Sequence, residues 1–246
     1  MLASARSNKP TIGSISKVIE PYVGEIAGLV HMIRSNPSYE LEARLVSQDT
    51  STRWASIPKT EFLQILSFFK KNEKVFTKTS GNAWEQSIVS FFDESYLRNI
   101  RYVSSDKPTE WMMKTPLVDY DYSIANRPFG VRVSLREERK TTAPKVPSQV
   151  TFLRSRKRSS FWLASFRWDF SIVWSAKTSE ELKHAKPGYE IELEYLPEAE
   201  EGEALTSQHI ATDFLCRILE LQGLESKCEV TRVQKESKHK KNFTVE

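Results

Sequence analysis

Apolar residues recur along this chain with two different periods. Between residues 14 and 34, Ile15, Val18, Ile19, Tyr22, Ile26, Leu29, Val30 and Ile33 fall three or four apart, which predicts an amphipathic helix, broken where Pro21 and two glycines interrupt it. A second helix is predicted from Pro58, at a first-turn position, through Phe62, Ile65, Leu66 and Phe69 to Asn72. A third runs from Ser207 as N-cap through Ile210, Phe214, Ile218 and Leu221 to Gly223. Elsewhere the period is two, over residues 39–46, 87–92, 99–103, 110–118, 130–138, 150–156, 158–164, 166–174 and 189–196. Strands following one another with so few helices between them predict an antiparallel sheet or barrel rather than alternating βαβ units.

What alternates is unusual. Side chains two apart in a strand point the same way, so Glu40, Glu42 and Arg44 share one face while Leu41 and Leu45 share the other. Glu190, Glu192 and Glu194 stand opposite Ile191 and Leu193; Arg132, Ser134, Arg136 and Glu138 opposite Val133 and Leu135. Arg154, Arg156 and Arg158 fall together, and Arg167, Asp169 and Ser171 stand opposite Trp168, Phe170 and Ile172. A single such strand would be an ordinary sheet with its polar face in water. Three glutamates in one row, however, are about 6.6 Å apart, and at an effective dielectric near 20 each neighbouring pair repels by about 2.5 kcal/mol. Rows sorted by sign make sense when a divalent cation sits among the acids and a polyanion among the bases. The charged faces would then line a closed barrel, with the three helices covering its apolar outside.

Composition changes this picture little. With 36 Lys and Arg against 32 Asp and Glu, the net charge of +4 names no partner. The 8 Gly, 2 Cys and 11% aromatic content exclude a disordered chain, a collagen repeat and a disulfide scaffold. The absence of a long uncharged apolar run and of a secretory leader predicts an intracellular protein with free thiols, Cys216 buried on a helix. His31, His184, His209 and His239 have no metal-ligand spacing. Residues 14–230 read as a single domain, with 1–13 a flexible arm and 231–246 a basic, disordered tail.

Three segments together resemble a known family. The run Tyr39-Glu-Leu-Glu-Ala-Arg44, the run from Arg154-Ser-Arg-Lys-Arg158 to Arg167-Trp-Asp-Phe-Ser171, and Tyr189-Glu-Ile-Glu-Leu-Glu194 have the order and character of the metal-dependent RNA 5'-triphosphatases of fungi, protozoa and some viruses, which belong to the triphosphate tunnel metalloenzymes. The resemblance implies a mainly β (α+β) fold, an eight-stranded antiparallel barrel with a charged tunnel, covered outside by a few α-helices. It also implies hydrolysis of the γ-phosphate from the triphosphate end of nascent RNA, with a Mn²⁺-dependent nucleoside triphosphatase side activity. Glu40, Glu42 and Glu194 would hold Mg²⁺ or Mn²⁺, with Asp169, Glu190, Glu192 and Ser171 around the metal waters or neighbouring bases. Glu138 would orient the attacking water; Arg101, Lys114, Arg132, Arg154, Arg156, Arg158 and Arg167 would grip the triphosphate, with Arg101, Lys114, Arg156 and Arg158 acting in catalysis. Arg44, Arg156 and Ser171 stand where fungal members tend to have Lys, Lys and Thr. A separate guanylyltransferase would act next, in the nucleus, and a monomer is expected.

The inventory suits that chemistry, since in-line attack on a phosphoryl group needs positioning and charge neutralisation rather than a covalent nucleophile. Neither Cys216 nor Cys228 sits in an H-C-x₅-R loop, and no P-loop or K-x-D-G motif is present. Two other readings stay open. One is a barrel of the same fold acting on tripolyphosphate, thiamine triphosphate or free nucleotides, although its members carry E-x-E-x-K very near the N-terminus. The other is a non-catalytic RNA-binding barrel, which would not need two acidic rows.

Overall fold

The structure is a computed structural model that describes residues 12–48, 56–92, 100–105, 110–124, 129–141, 150–199, 205–221 and 230–233. In chain order its elements are α1 (Ile12–Ser35), β1 (Tyr39–Ser47), α2 (Lys59–Lys71), β2 (Lys78–Thr79), β3 (Glu85–Phe92), β4 (Ile100–Ser105) and β5 (Glu110–Ile124). They continue with β6 (Phe129–Thr141), β7 (Val150–Leu163), β8 (Phe166–Ala176), α3 (Ser179–His184), β9 (Gly188–Tyr195), α4 (Ser207–Glu220) and β10 (Val230–Val233).

Eight strands pair in the order β5-β4-β3-β7-β8-β9-β1-β6, all antiparallel, and β6 pairs with β5 to close the ring. The period-two pattern explains which side faces in. Leu41, Ala43 and Leu45 of β1, Val131, Val133 and Leu135 of β6, Ile191, Leu193 and Tyr195 of β9, and Phe166, Trp168 and Phe170 of β8 are all buried in one cluster outside the ring. Helices α1, α2 and α4 supply the other half of that cluster through Ile26, Val30, Ile33, Phe62, Phe69, Phe214 and Ile218. On α2, Phe69 lies 5.0 Å from Phe170, 5.3 Å from Phe161 and 5.7 Å from Trp168 between ring centroids. Each such buried aromatic contributes about 1.5–3 kcal/mol relative to exposure.

Several boundaries differ from expectation for physical reasons. Helix α1 runs unbroken through Pro21, because Pro21, Gly24 and Gly28 lie on its exposed side while Ile19, Ile26, Leu29, Val30 and Ile33 are buried, with α4 packed alongside. Burial of the apolar stripe outweighs the local cost. The Thr206 hydroxyl accepts the His209 N–H at 3.2 Å, so Thr206 rather than Ser207 caps α4. The two runs around Lys157 form one strand, β7. Strand β5 passes Pro116 and continues to Ile124, its register shifting between Pro116 and Val118, the kind of place where a missing N–H costs least. The β7–β8 hairpin turns through Ala164 at φ 50°, a left-handed conformation that costs a residue with a Cβ about 1 kcal/mol.

Strands β2 and β10 and helix α3 have no counterpart in the sequence pattern, being too short to show a period. Helix α1 takes in Ile12 and Gly13, and β10 takes in residues 231–233; the rest of the expected arm and tail lies outside the described residues. Among the described residues, no helix is long and apolar enough to cross a membrane.

Candidate active site

The charged rows meet inside the ring. Glu42 of β1 is directly opposite Glu194 of β9, and Arg44 is opposite Glu192. Across the next seam, Arg167, Asp169 and Ser171 of β8 are opposite Glu194, Glu192 and Glu190. Strand β7 then brings Arg158 opposite Ser171, while on the far side β6 sets Arg136, Ser134 and Arg132 opposite Glu40, Glu42 and Arg44. Lys114 of β5 lies opposite Glu138.

Ion pairs link these strands. The Lys114 Nζ sits 2.8 Å from Glu40 and 3.3 Å from Glu42. Arg158 reaches Asp169 at 2.9 Å and Glu192 at 3.7 Å. Arg167 pairs with Asp169 at 3.1 Å and also with Glu194. Arg154 pairs with Glu190, and Arg44 with Glu192 and, at 3.8 Å, with Glu190. Asp169, only 2% exposed, also accepts the Ser160 hydroxyl at 2.6 Å.

Burial and charge then sort the groups. Burial alone would push Glu192 up, but Arg44, Arg158, Arg154 and Arg156 hold its carboxyl well below the usual range. Burial likewise opposes the charge on Arg44, where Glu192, Glu190 and Glu42 win and raise it above the ordinary guanidinium value. Glu194 behaves in the opposite way. Burial pushes its carboxyl up to about 7, Arg167 pulls it back, and Glu40 and Asp169 push it further up. Arg156 is the complementary anomaly among the bases. Its guanidinium is lowered to about 10, first by burial and then by Arg158 and Arg154 on either side, with Glu192 opposing. Arg156 makes no ion pair among the described residues, and its buried Nε has no hydrogen-bond partner. The fully buried Ser171 Oγ is also without one. A cation flanked by two like charges and left without a counterion is a ready anion site.

Of the residues expected from sequence, Glu40, Glu42, Glu194, Asp169, Glu190, Glu192, Ser171, Lys114, Glu138, Arg154, Arg156, Arg158 and Arg167 are brought to this one inner face. Arg132 is there too, but it is turned onto Asp121, its Nε 2.6 Å from the carboxylate. Arg101 lies on β4 opposite Phe91 and Met112; its side chain is outside the described residues. Trp162, which shares the Arg158 face, is covered by the Lys78 ammonium 4.7 Å from its ring. Sequence reasoning missed Asp119 and Asp121. Asp119 accepts Arg136 at 2.5 Å and the Ser134 hydroxyl at 2.8 Å. Both follow the register shift in β5, which moves the inner face from even to odd positions. The alternation Asp119-Tyr120-Asp121 was the available signal.

At the Glu40 end, a pocket of about 430 Å³ lined by Arg34, Pro37, Tyr39, Pro197, Glu40 and Glu194 opens onto the two glutamates. Among the described residues no three carboxylate, His or Cys side chains are gathered closely enough to form a metal cluster. Glu40 and Glu42 are bridged by the Lys114 ammonium, and Glu194 by Arg167. The donor set nevertheless fits a hard divalent cation. It offers three carboxylates on adjacent strands, one of them raised to about 7 and so placed to ionise when a cation arrives.

No protein-family model matches the chain, and no curated protein matches it in sequence. Solved structures do match in shape. The S. pombe Pct1 RNA triphosphatase superposes with a TM-score of 0.63 at 15% identity, over 87% of this chain and 94% of that one. The same protein in complex with the Spt5 CTD gives 0.62, at the same identity and coverage. The Mimivirus capping enzyme triphosphatase gives 0.57 at 17% identity, over 82% of this chain and 98% of that one. At these identities the likeness is one of fold, and it spans nearly the whole of each matched chain: this protein has the tunnel fold of the RNA triphosphatases.

Proposed function

We propose that the chain is a divalent-cation-dependent RNA 5'-triphosphatase, which hydrolyses the γ-phosphate from triphosphate-ended RNA and leaves a diphosphate end for a separate guanylyltransferase. The observation that carries this reading is Arg156, whose Nε is buried and which makes no ion pair among the described residues, between Arg154 and Arg158 in a tunnel that also carries a row of glutamates. Phosphate oxygens supply the anion that Arg156 lacks, and the planar guanidinium suits them. Glu40, Glu42 and Glu194 would hold Mg²⁺ or Mn²⁺, which supplies charge neutralisation at the γ-phosphate when bound. Arg154 and Arg158 are already oriented by Glu190 and Asp169, so little side-chain freedom is lost on gripping a polyphosphate. Glu138 would accept a proton from the attacking water and hold it in line.

The reading is tested by release of γ-³²P from triphosphate-ended RNA with Mg²⁺, set against ATP with Mn²⁺ and against tripolyphosphate. RNA is expected to be the preferred substrate, and excess EDTA to stop release. Preference for tripolyphosphate, or turnover in EDTA, would overturn it.

A further inference from the structure

Aromatic side chains also lie on the charged face. Along β7 the period of two puts Phe152, Arg154, Arg156, Arg158, Ser160 and Trp162 on the same side. Phe152 is 39% exposed, whereas Val89, two residues from Phe91 on the same face of β3, is buried. It is opposite Phe91 of β3, and the two rings are 5.7 Å apart, tilted by 58°. Phe91 is only partly buried itself, so this pair forms no part of the main apolar cluster.

Its place along the tunnel is set by the ion pairs. Arg158 ties the far end of the β7 row to Asp169, and Arg167 of β8, opposite Trp162, pairs with Glu194, toward the pocket that opens onto Glu40. Arg154 ties the near end to Glu190, itself beside Arg44. Phe152 comes one step beyond Arg154 and therefore marks the mouth remote from Glu40 and Glu194. Glu138 belongs to the Glu40 end, where its N–H is held by the Ser38 carbonyl at 2.7 Å, just ahead of β1. In-line displacement puts the entering water and the leaving diphosphate on opposite sides of the γ-phosphorus. With the water at the Glu138 end, the remaining phosphates extend past Arg156 toward Arg154, and the nucleoside arrives at the other mouth. Four residues of strand place Phe152 about 13 Å from Arg156.

We propose that Phe152, backed by Phe91, is the platform on which the 5'-terminal base of the triphosphate-ended RNA stacks. This rests on the triphosphatase reading and adds the polarity of the substrate and its nucleoside subsite. An exposed aromatic beside arginines is the combination that binds single-stranded nucleic acid with little sequence preference, since every base has a π-face. Trp162, at the opposite end of the row, already has the Lys78 ammonium over one face of its ring.

The test compares wild type with Phe152→Ala, Phe152→Leu and Phe152→Trp on a short triphosphate-ended RNA, with inorganic tripolyphosphate as competitor. Phe152→Ala and Phe152→Leu should raise KM for the RNA about tenfold. Their kcat and their inhibition constant for tripolyphosphate, which has no base, should stay at the wild-type values, and Phe152→Trp should restore KM. An unchanged KM in Phe152→Ala, full recovery in Phe152→Leu, or a parallel loss of tripolyphosphate affinity would overturn the platform while leaving the triphosphatase reading standing. Wild-type protein that neither binds nor hydrolyses the RNA would overturn both.

Discussion

The two faces of β8 make opposite uses of the same backbone. Outward, Trp168 and Phe170 are locked among Phe62, Phe69 and Phe161, where each ring has several interchangeable neighbours. Inward, Arg167, Asp169 and Ser171 have few and specific partners, and the fully buried Ser171 hydroxyl has none among the described residues. The outer face buries apolar surface and carries the fold. The inner face is less complete: Arg156 makes no ion pair among the described residues, and Glu40 and Asp169 act on Glu194 against its charge. Removing an inner group should therefore damage turnover and spare stability, and removing an outer group the reverse.

The largest effect is expected from Glu42→Ala or Glu194→Ala, each of which should reduce phosphate release beyond detection while the melting temperature and circular dichroism stay near wild type; substantial activity in both would break the comparison. Next, Phe69→Ala should cost about 3–5 kcal/mol of stability in urea unfolding, with KM for RNA unchanged in the protein that remains folded. A smaller loss, about 100-fold in kcat/KM, is expected for Arg156→Ala. Because Arg154 and Arg158 repel it, that variant should melt no lower than wild type; a marked drop in melting temperature would mean Arg156 holds the fold together after all. The smallest effect is in pH. Glu194 keeps its proton up to about 7 in the folded state, above the usual carboxylate range, so between that range and about 7 the folded chain binds more protons than the unfolded one. The metal-free protein should thus lose stability as pH rises from 5 to 8, and Glu194→Gln should flatten that slope. Glu192, held far below this window, adds nothing to it. Equal slopes in wild type and Glu194→Gln would remove Glu194 as the cause.

Much of the inner face was legible before any folding because strand geometry is local. Two-residue alternation puts Glu40 with Glu42 and Arg154 with Arg156 whatever the rest of the chain does. Legibility stopped at irregularities. The shift after Pro116 changes which β5 residues face in, so Asp119 and Asp121 escaped notice, and with them the neutralisation of Arg132 and Arg136. Pro21 misled in the other direction, since α1 gains enough from packing beside α4 to continue through it.

By itself, then, the sequence determined which side chains share a face, what charge each face carries, and which helices have an apolar stripe to cover the other side. Only the tertiary structure decided that β6 returns to β5 and closes the ring, that Lys114 lies over Glu40 and Glu42, and that Arg156, unlike Arg154 and Arg158, makes no ion pair among the described residues. The difference is physical. Alternation follows from the pleat of one strand, whereas pairing of charges depends on register between strands far apart in sequence, and a shift of one residue there exchanges every partner.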